Sequence, residues 1–184
     1  MGIFTKTGDD GETSLFGGKR VKKSSSIVSA IGNVDELSAS IALLSNSLNS
    51  PDIKDLLKKT QQISDQLFTV GADLANPKQH EDLPESFVTK FDIETLENDM
   101  MLWEKELPPL THFVLPAGHP AALAAYFARA VCRRAERSVS KANDDQRLNP
   151  QIGKYLNRLG DWLFVCFRLI NHRMKVKEKL WNAK

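Results

Sequence analysis

Apolar residues recur at steps of three and four through most of this chain, and this spacing constrains its fold more than any other feature of the sequence. Residues at such steps lie along one face of an α-helix. No segment alternates between apolar and polar residues for long enough to predict a sheet. The first two stripes are Ala30, Val34, Leu37, Ile41, Leu44 and Leu48, and then Ile53, Leu56, Thr60, Ile63, Leu67, Val70 and Leu74.

Three further stripes follow, and helix-breaking residues separate them. The stripes are Ile93, Leu96, Met100, Trp103 and Leu107; then Ala121, Ala125, Ala128, Cys132, Ala135, Val139 and Ala142; and finally Ile152, Leu156, Leu159, Leu163, Cys166 and Ile170. Serines 24–26 offer N-caps for the first helix, and Pro51 suits the first turn of the second. The proline after Asn76 ends the second helix, and prolines 108–109 end the third.

The sequence therefore predicts one all-α domain over residues 1–184, an antiparallel five-helix bundle with short connections. Its parts are an irregular N-terminal loop at 1–23, the bundle at 24–173 and a tail at 174–184. The fourth stripe consists mainly of alanine, which lets a neighbouring backbone approach closely. We expect this helix to lie centrally or against another subunit.

Composition excludes several classes of protein. The chain has 41% hydrophobic and 26% charged residues and a net charge of +2, which gives no general attraction to nucleic acid. We find neither a secretory signal nor a run of about 20 apolar residues, and so expect no membrane span. Cys132 and Cys166 lie in apolar helical patterns without metal-type spacing. These features predict a cytoplasmic protein with reduced thiols.

The opening stretch "TKTGDDGETSLFGGKR", residues 5–20, has the composition of an anion-binding loop. Glycines leave backbone N–H groups free to converge, and hydroxyl and basic side chains accompany them. The spacing is not that of a Walker A loop, and Asp9, Asp10 and Glu12 lack the spacing of a calcium loop. The alternative is a disordered leader. If the stretch clamps phosphates, we expect it to be disordered until the ligand arrives.

The fourth helix carries a basic stripe beside its alanine stripe. Arg129, Arg133, Glu136 and Ser140 lie within about 60° of one another on a helical wheel. The planar guanidinium fork of arginine suits phosphate recognition. The alternative is a solvated face with internal ion pairs of small energetic value.

Two other polar groups interrupt apolar stripes. On the last helix, Asn157, Asp161, Phe164 and Arg168 share one face, which is either part of a site or the polar edge of a bundle helix. On the first helix, residues 35–36 are acidic, and ordinary exposure is the alternative there. The four histidines are scattered singly, so no protein-borne metal site is predicted.

Four blocks of sequence together resemble the PduO-like ATP:cob(I)alamin adenosyltransferases. They are "TKTGDDGETSLFGGKRV", "GNVDELSA", "FVLPAG" with "ARAVCRRAERSV", and "YLNRLGDWLFV". The blocks follow the order of the family and span nearly the whole chain. The resemblance implies a homotrimer of five-helix bundles with each active site between two subunits. It also implies transfer of the 5′-deoxyadenosyl group of ATP to the cobalt of a reduced corrinoid, with Mg²⁺ bound through the phosphates and release of triphosphate.

The resemblance also assigns roles to individual residues. Arg133 is expected to act in catalysis, Asp35 and Arg129 to bridge subunits beside the site, and Asp161 to lie near the nucleotide. Phe113 matches an aromatic residue below the corrinoid. The residues that fall on ATP-binding positions are Thr5, Lys6, Thr7, Gly8, Thr13, Ser14, Lys23, Arg133, Arg134, Ala135, Glu136, Arg137 and Asn157.

Some points of the resemblance stay open. Ala117 stands where the family usually has glycine, and Ser38 replaces a frequent asparagine, so the local geometry is expected to differ. A non-catalytic corrinoid or nucleotide carrier, or a structural bundle that binds a polyanion, would use the same helices. A corrinoid reductase or an adenosylcobalamin-dependent enzyme is a candidate partner. The basic tail either closes over the corrinoid or is freely solvated.

Overall fold

The computed structural model describes residues 6–76 and 87–181, and five α-helices make up most of this part of the chain. They are α1 Ser26–Ser47, α2 Leu56–Ala75, α3 Lys90–Trp103, α4 Pro120–Asp145 and α5 Pro150–Arg173. The predicted helical architecture with five helices is thus confirmed.

The helices pack in the order α2, α1, α4, α5, α3. Asn33 donates a hydrogen bond to Ser138 at 3.1 Å, while Glu36, further along α1, pairs with Arg134, further back on α4. These two helices are therefore antiparallel. In contrast, α3 and α5 run parallel, as expected when alternating up-and-down helices place the third and fifth side by side.

The alanine-rich helix α4 lies at the centre of this arrangement, between α1 and α5. The buried small residues along its inner face are Ala121, Ala125, Ala128, Cys132, Ala135 and Ala142, each 0% exposed. Because these side chains are small and protein interiors tolerate few voids, the neighbouring helices pack close to α4. The predicted central position of the fourth helix is confirmed.

Two helix boundaries differ from the sequence prediction. The second helix begins at Leu56, because residues 51–55 form turns with three-residue hydrogen bonds such as Ile53 N–H to Ser50 O at 3.1 Å. The third helix ends at Trp103, and the backbone continues in similar turns before the prolines. Ser25 occupies the N-cap of α1, as predicted, but its side chain makes no capping hydrogen bond.

A small hairpin replaces the irregular loop expected at the start of the chain. Strand β1, Glu12–Ser14, pairs antiparallel with β2, Arg20–Lys22, across a single 3₁₀ turn. Strands of three residues are too short to show a period of two in the sequence. Leu15 and Val21 pack against the helical core and fix the hairpin to the bundle.

Helix α1 contains an 18-residue window with a mean hydropathy of 1.4, so, contrary to the sequence prediction, it has the length and composition of a membrane span. Its buried residues lie on one stripe, Ile27, Ala30, Val34, Leu37, Ser40, Ile41 and Leu44. This stripe packs against α2 and α4, which is the arrangement of a core helix.

Candidate active site

The basic stripe of α4 lies along the seam between α4 and α5, called here the α4–α5 seam. The guanidinium carbon of Arg129 lies 5.4 Å from the centroid of the Phe164 ring. One turn further along α4, the stem of Arg133 passes Gly160, where a Cβ would lie 3.8 Å from Arg133 Cγ. Arg133 is exposed, and the structure records no ion pair for it among the described residues.

The seam continues with hydrogen-bonded polar side chains. Asn157 Nδ2 donates to Glu136 Oε1 at 2.9 Å. Asp161, one turn later on α5, accepts from Arg158 Nη1 at 3.1 Å, and Arg158 also binds Glu97 at 2.8 Å. The polar faces singled out on the fourth and fifth helices therefore meet along one line.

The buried Cys132 lies behind this group of charges. Burial raises the pKa of its thiol to about 12, and the charges of Glu136, Arg133, Asp161 and Arg129 all act on it to a lesser extent. These four charges therefore all lie within electrostatic reach of the thiol. Because Cys132 stays a protonated thiol that donates to the Leu156 carbonyl at 3.2 Å, it offers no nucleophile to the site.

The other predicted α4 residues face different ways. Arg134 Nε donates to Asn33 Oδ1 at 3.0 Å, and its Nη2 pairs with Glu36, so this arginine joins α4 to α1. Arg137 is exposed at the surface. Ala135 is 0% exposed, so its side chain packs in the core and does not reach the seam.

The hairpin closes residues 6–23 into a compact loop with converging basic groups. The ammonium of Lys23 lies 3.3 Å from the position that a Cβ of Gly8 would occupy, and Lys23 N–H donates to Gly11 O at 2.8 Å. Arg20 Nη2 donates to Thr7 O at 2.9 Å. Disorder of the opening stretch, residues 5–20, in the absence of nucleotide stays a prediction.

The other loop residues that were predicted to bind ATP do not all lie in one element. Lys6 is exposed, with a positive φ of 59°, while Thr13 and Ser14 lie on β1. Thr5 lies outside the described residues. Within the described part of one chain, the structure records no hydrogen bond or ion pair between residues 6–23 and the arginines at 133 and 137.

Asp35 lies on a different side of the molecule from the seam. It is exposed and lines a groove of about 400 Å³ between α1 and α2, together with Ser38 and Phe68. The Phe68 side chain is 74% exposed. No ion pair joins Asp35 to Arg129 within the described residues of a single chain, so the predicted pair requires two chains.

Phe113 lies in the connector, residues 104–119, that joins α3 to α4. Its side chain is 78% exposed, and its ring meets the Trp181 ring edge-on with 6.2 Å between centroids. At the far end of the connector, Asn171 of α5 donates to Ala117 O at 3.0 Å and accepts from His119 N–H at 2.9 Å.

The tail is anchored, whereas sequence analysis left open a freely solvated segment. Its described part, residues 174–181, is called here the strap. Leu115 N–H donates to Lys179 O and Trp181 N–H donates to Phe113 O, both at 2.8 Å. The strap and the connector thereby form one isolated β-bridge, between Val114 and Leu180.

Three adjoining grooves connect the seam to Phe113. The largest, about 750 Å³, lies between α3, the connector and α5 and is lined by Phe164 and Asp161. The others measure about 330 Å³ beside the strap and about 400 Å³ beside Phe113 and Trp181, and Leu110 borders all three. The result is a mostly apolar belt with charged side chains at one end.

Four residues that shape this region have roles that the sequence did not predict. Arg168 was placed on a polar helix face, but the structure buries it to 6% exposure. Its partner Glu178, together with Asn171 and Trp181, received no role. The partners of Arg168 and Asn171 lie outside the helix, so no helical period could reveal them. No group of three or more histidine, cysteine or acidic side chains in the described residues could hold a metal ion.

Comparison with known proteins agrees with this geometry. The sequence profile of the cobalamin adenosyltransferase family matches residues 3–170. A cobalamin adenosyltransferase of Cupriavidus metallidurans is 37% identical over 98% of this chain and 94% of its own length. A corrinoid adenosyltransferase of Bacillus subtilis is 36% identical over 94% of this chain and 88% of its own length.

A solved structure shows the same fold. It is a variant of the PduO-type ATP:corrinoid adenosyltransferase from Lactobacillus reuteri complexed with cobalamin and ATP. Its sequence is 29% identical to this one, and the two superpose with a TM-score of 0.93 over 99% of this chain and 100% of that chain. The profile match, the relatives and the shared fold together show that this chain belongs to the cobalamin adenosyltransferase family.

Proposed function

We propose that this protein transfers the 5′-deoxyadenosyl group of ATP to the cobalt of a reduced corrinoid and releases triphosphate. The observation that carries the proposal is the α4–α5 seam, where Arg133 stands exposed between the stacked Arg129 and the Glu136–Asn157 hydrogen bond. An arginine that is held at its stem and has no acidic partner among the described residues keeps its fork of donors for phosphate oxygens. Family membership supports the same activity.

The reaction needs a positioned pair of substrates more than a protein nucleophile. Cobalt(I) attacks C5′ of ATP with its own electron pair, a Co–C bond forms, and the C5′–O bond electrons leave with triphosphate. The chain contributes alignment of C5′ with the metal and stabilisation of negative charge on the leaving group. The two cysteines are buried with raised pKa values, which agrees with a protein that supplies no nucleophile.

Charge stabilisation is assigned to the arginines of α4 and the opening loop. We propose that Arg133 and Arg137 bind the triphosphate with Lys6 and Lys23, while Asn157 and Glu136 contact the nucleotide. We keep the roles that the sequence predicts at the nucleotide for the remaining residues: Thr5, Thr7, Gly8, Thr13, Ser14, Arg134, Ala135 and Asp161. Mg²⁺ is proposed to bind through the phosphates of ATP.

The complete site is proposed to form between chains of a homotrimer. Within one chain, Asp35 lines the groove between α1 and α2 together with the exposed Phe68, whereas Arg129 lies over the Phe164 ring on the α4–α5 seam. A second chain that brings Arg129 to this groove would cover Phe68 and supply the missing partner of Asp35. We further propose that the opening loop of one chain meets the arginines of another.

Phe113 is assigned to the lower face of the corrinoid. Cobalt(II) accepts an electron less readily while a lower axial ligand stays bound. An apolar ring on that face favours the four-coordinate form, because it offers no ligand atom to the metal. The apolar belt leads from the seam to Phe113, so one extended ligand could contact both.

Replacement of Arg133 by alanine tests the proposed function. Anaerobic incubation of the wild-type protein with chemically prepared cob(I)alamin and MgATP is expected to give the absorption spectrum of adenosylcobalamin. Arg133→Ala is expected to lower the rate by about 10²–10³, as for loss of one donor to developing negative charge. Its circular dichroism should match wild type.

The matched control is Lys141→Ala, which removes an exposed positive charge from the same helix. It should keep wild-type turnover. Near-normal turnover in Arg133→Ala would contradict the assigned role, and binding of both substrates by the wild type without conversion would indicate a carrier.

A further inference from the structure

Phe113 is held in place although little of it is buried. With 78% of the side chain exposed, its ring gains little from the hydrophobic effect within the chain. The connector around it has no regular secondary structure apart from one β-bridge. Contacts outside the Phe113 side chain must therefore fix its position.

The strap supplies the contacts next to Phe113. The backbone carbonyl of Phe113 accepts a hydrogen bond from Trp181 N–H at 2.8 Å. Two residues later, Leu115 N–H donates a hydrogen bond to Lys179 O, also at 2.8 Å. Between them, Val114 is buried to 7% exposure. An isolated two-stranded pairing of this length is only marginally stable in water, so the strap needs an anchor of its own.

Glu178 is that anchor. Its Oε1 accepts from Arg168 Nε at 2.7 Å and its Oε2 from Arg168 Nη2 at 3.3 Å. The two side chains are 8% and 19% exposed, so the pair is largely shielded from water. Arg168 Nη2 also donates to Pro108 O at 2.8 Å, which ties the start of the connector to the same guanidinium.

The Arg168–Glu178 pair therefore joins three segments: α5, the beginning of the connector and the strap. Removal of Glu178 would leave a buried guanidinium with only the Pro108 carbonyl among these partners, and such unpaired charges are strongly unfavourable. The strap would then shift or detach to admit water, and the two hydrogen bonds beside Phe113 would weaken with it.

We propose that Glu178 is a positioning residue for Phe113: through Arg168 and the strap it holds the phenylalanine ring at the lower face of the corrinoid. This inference rests on the proposed function and adds to it a residue argued to act through Arg168 and the strap. Its loss should therefore affect the step that depends on Phe113, the use of cobalt(II), more than alkylation of cobalt(I).

The test compares two starting states of the corrinoid in four proteins: wild type, Phe113→Ala, Glu178→Ala and Lys179→Ala. One assay begins with cob(II)alamin, a reductant and MgATP, and the other with chemically prepared cob(I)alamin and MgATP. Glu178→Ala should reduce the cobalt(II) rate on the order of ten- to a hundredfold, the scale of a misplaced group in a site. The cobalt(I) rate should fall less than threefold. Lys179→Ala keeps the backbone of the strap and should match wild type.

A spectroscopic measurement separates positioning from general loss of structure. Electron paramagnetic resonance of cob(II)alamin bound with ATP reports the fraction without a lower ligand. Glu178→Ala and Phe113→Ala should both reduce this fraction, and Glu178→Gln should restore part of it because the amide oxygen still accepts a hydrogen bond. Hydrogen exchange of the Leu115 and Trp181 amides should accelerate in Glu178→Ala, while amides inside α4 stay protected.

The possible failures are distinguishable. If wild type makes no adenosylcobalamin from either state, the proposed function fails. If Phe113→Ala shows the cobalt(II) defect and Glu178→Ala does not, or if Glu178→Ala loses both routes equally, the positioning role alone is overturned.

Discussion

Arg133 and Arg134 are neighbours in sequence with different surroundings. A step of 100° along the helix turns Arg134 towards Asn33 and Glu36 on α1, while Arg133 lies on the α4–α5 seam. The Arg134–Glu36 pair is exposed and contributes little to stability. An ATP contact by Arg134 stays a prediction, and it would require sharing or exchange of this partner.

Gly118 is a connector residue whose backbone and surroundings leave no room for a side chain. It has a φ of 120°, and a Cβ added there would lie 2.7 Å from Asn171 Cγ. Gly118→Ala should therefore lower the free energy of unfolding by roughly 1–3 kcal/mol from backbone strain, with a further loss as Asn171 moves. Urea denaturation followed by circular dichroism measures the change.

A glycine without such neighbours provides the control. A Cβ at Gly153 in α5 would meet nothing within 4 Å, and its φ is not positive. Gly153→Ala should raise stability by about 0.5–1 kcal/mol, as alanine does in helices. Equal effects of the two substitutions would show that the Gly118–Asn171 contact does not constrain the connector.

At the level of elements, most of the fold could be predicted from the sequence. Five apolar stripes and the prolines between them determine the helices, because a helix must bury its apolar face. The start of α2 and the end of α3 could not be placed, because three-residue turns continue the pattern of apolar residues past the α-helix. The hairpin was missed because Leu15 and Val21 are single apolar contacts without a period.

The ends of three helices are joined by ion pairs that should respond to acid. Arg173 at the end of α5 donates to Glu106 Oε1 at 2.9 Å and to Asp55 at 2.9 Å. The hydrogen bond from Arg173 is the main cause that lowers the pKa of Glu106 below its ordinary 4.5. The stability that this pair contributes is therefore fully present above the ordinary pKa of 4.5, and it is lost as pH falls through the lower pKa that Glu106 has in the folded protein.

Glu106→Gln should reduce this acid dependence. Between about pH 5 and pH 3, the free energy of unfolding should fall more steeply for the wild type than for the variant. The difference between the two falls should be less than about 1 kcal/mol, because the carboxylate is partly exposed. Urea midpoints across this range measure it. The control variant is Glu94→Gln, which removes an exposed carboxylate of α3. Identical pH profiles for the wild type and Glu106→Gln would contradict the prediction.

For the whole molecule, the central prediction concerns assembly. Asp35→Arg should reduce formation of the proposed trimer and its activity, because it places two positive charges together where Asp35 and Arg129 are proposed to meet across the interface. The double variant Asp35→Arg with Arg129→Asp should recover part of both. Light scattering coupled to gel filtration gives the mass, and an unchanged trimer with full activity in Asp35→Asn would show that the two residues do not meet.

The site could be predicted only in part. Helical angles were enough to place Arg129, Arg133 and Glu136 on one line, and the fifth helix supplied Asn157. The anchoring of Phe113 could not be predicted, since it depends on Arg168 and Glu178, whose pairing crosses the end of α5. Long-range contacts between a connector and a strap leave no pattern in a single sequence.

The Arg168–Glu178 anchor also bears on the order of folding. Helical hairpins such as α4–α5 consist of contacts between consecutive elements, which form early and quickly. The connector precedes α4, yet the partners that fix it follow from the end of α5, so it can settle only after both helices have packed. A refolding chain should thus regain its helical circular dichroism before it regains the use of cobalt(II), and pass through a stage that is folded and catalytically incomplete.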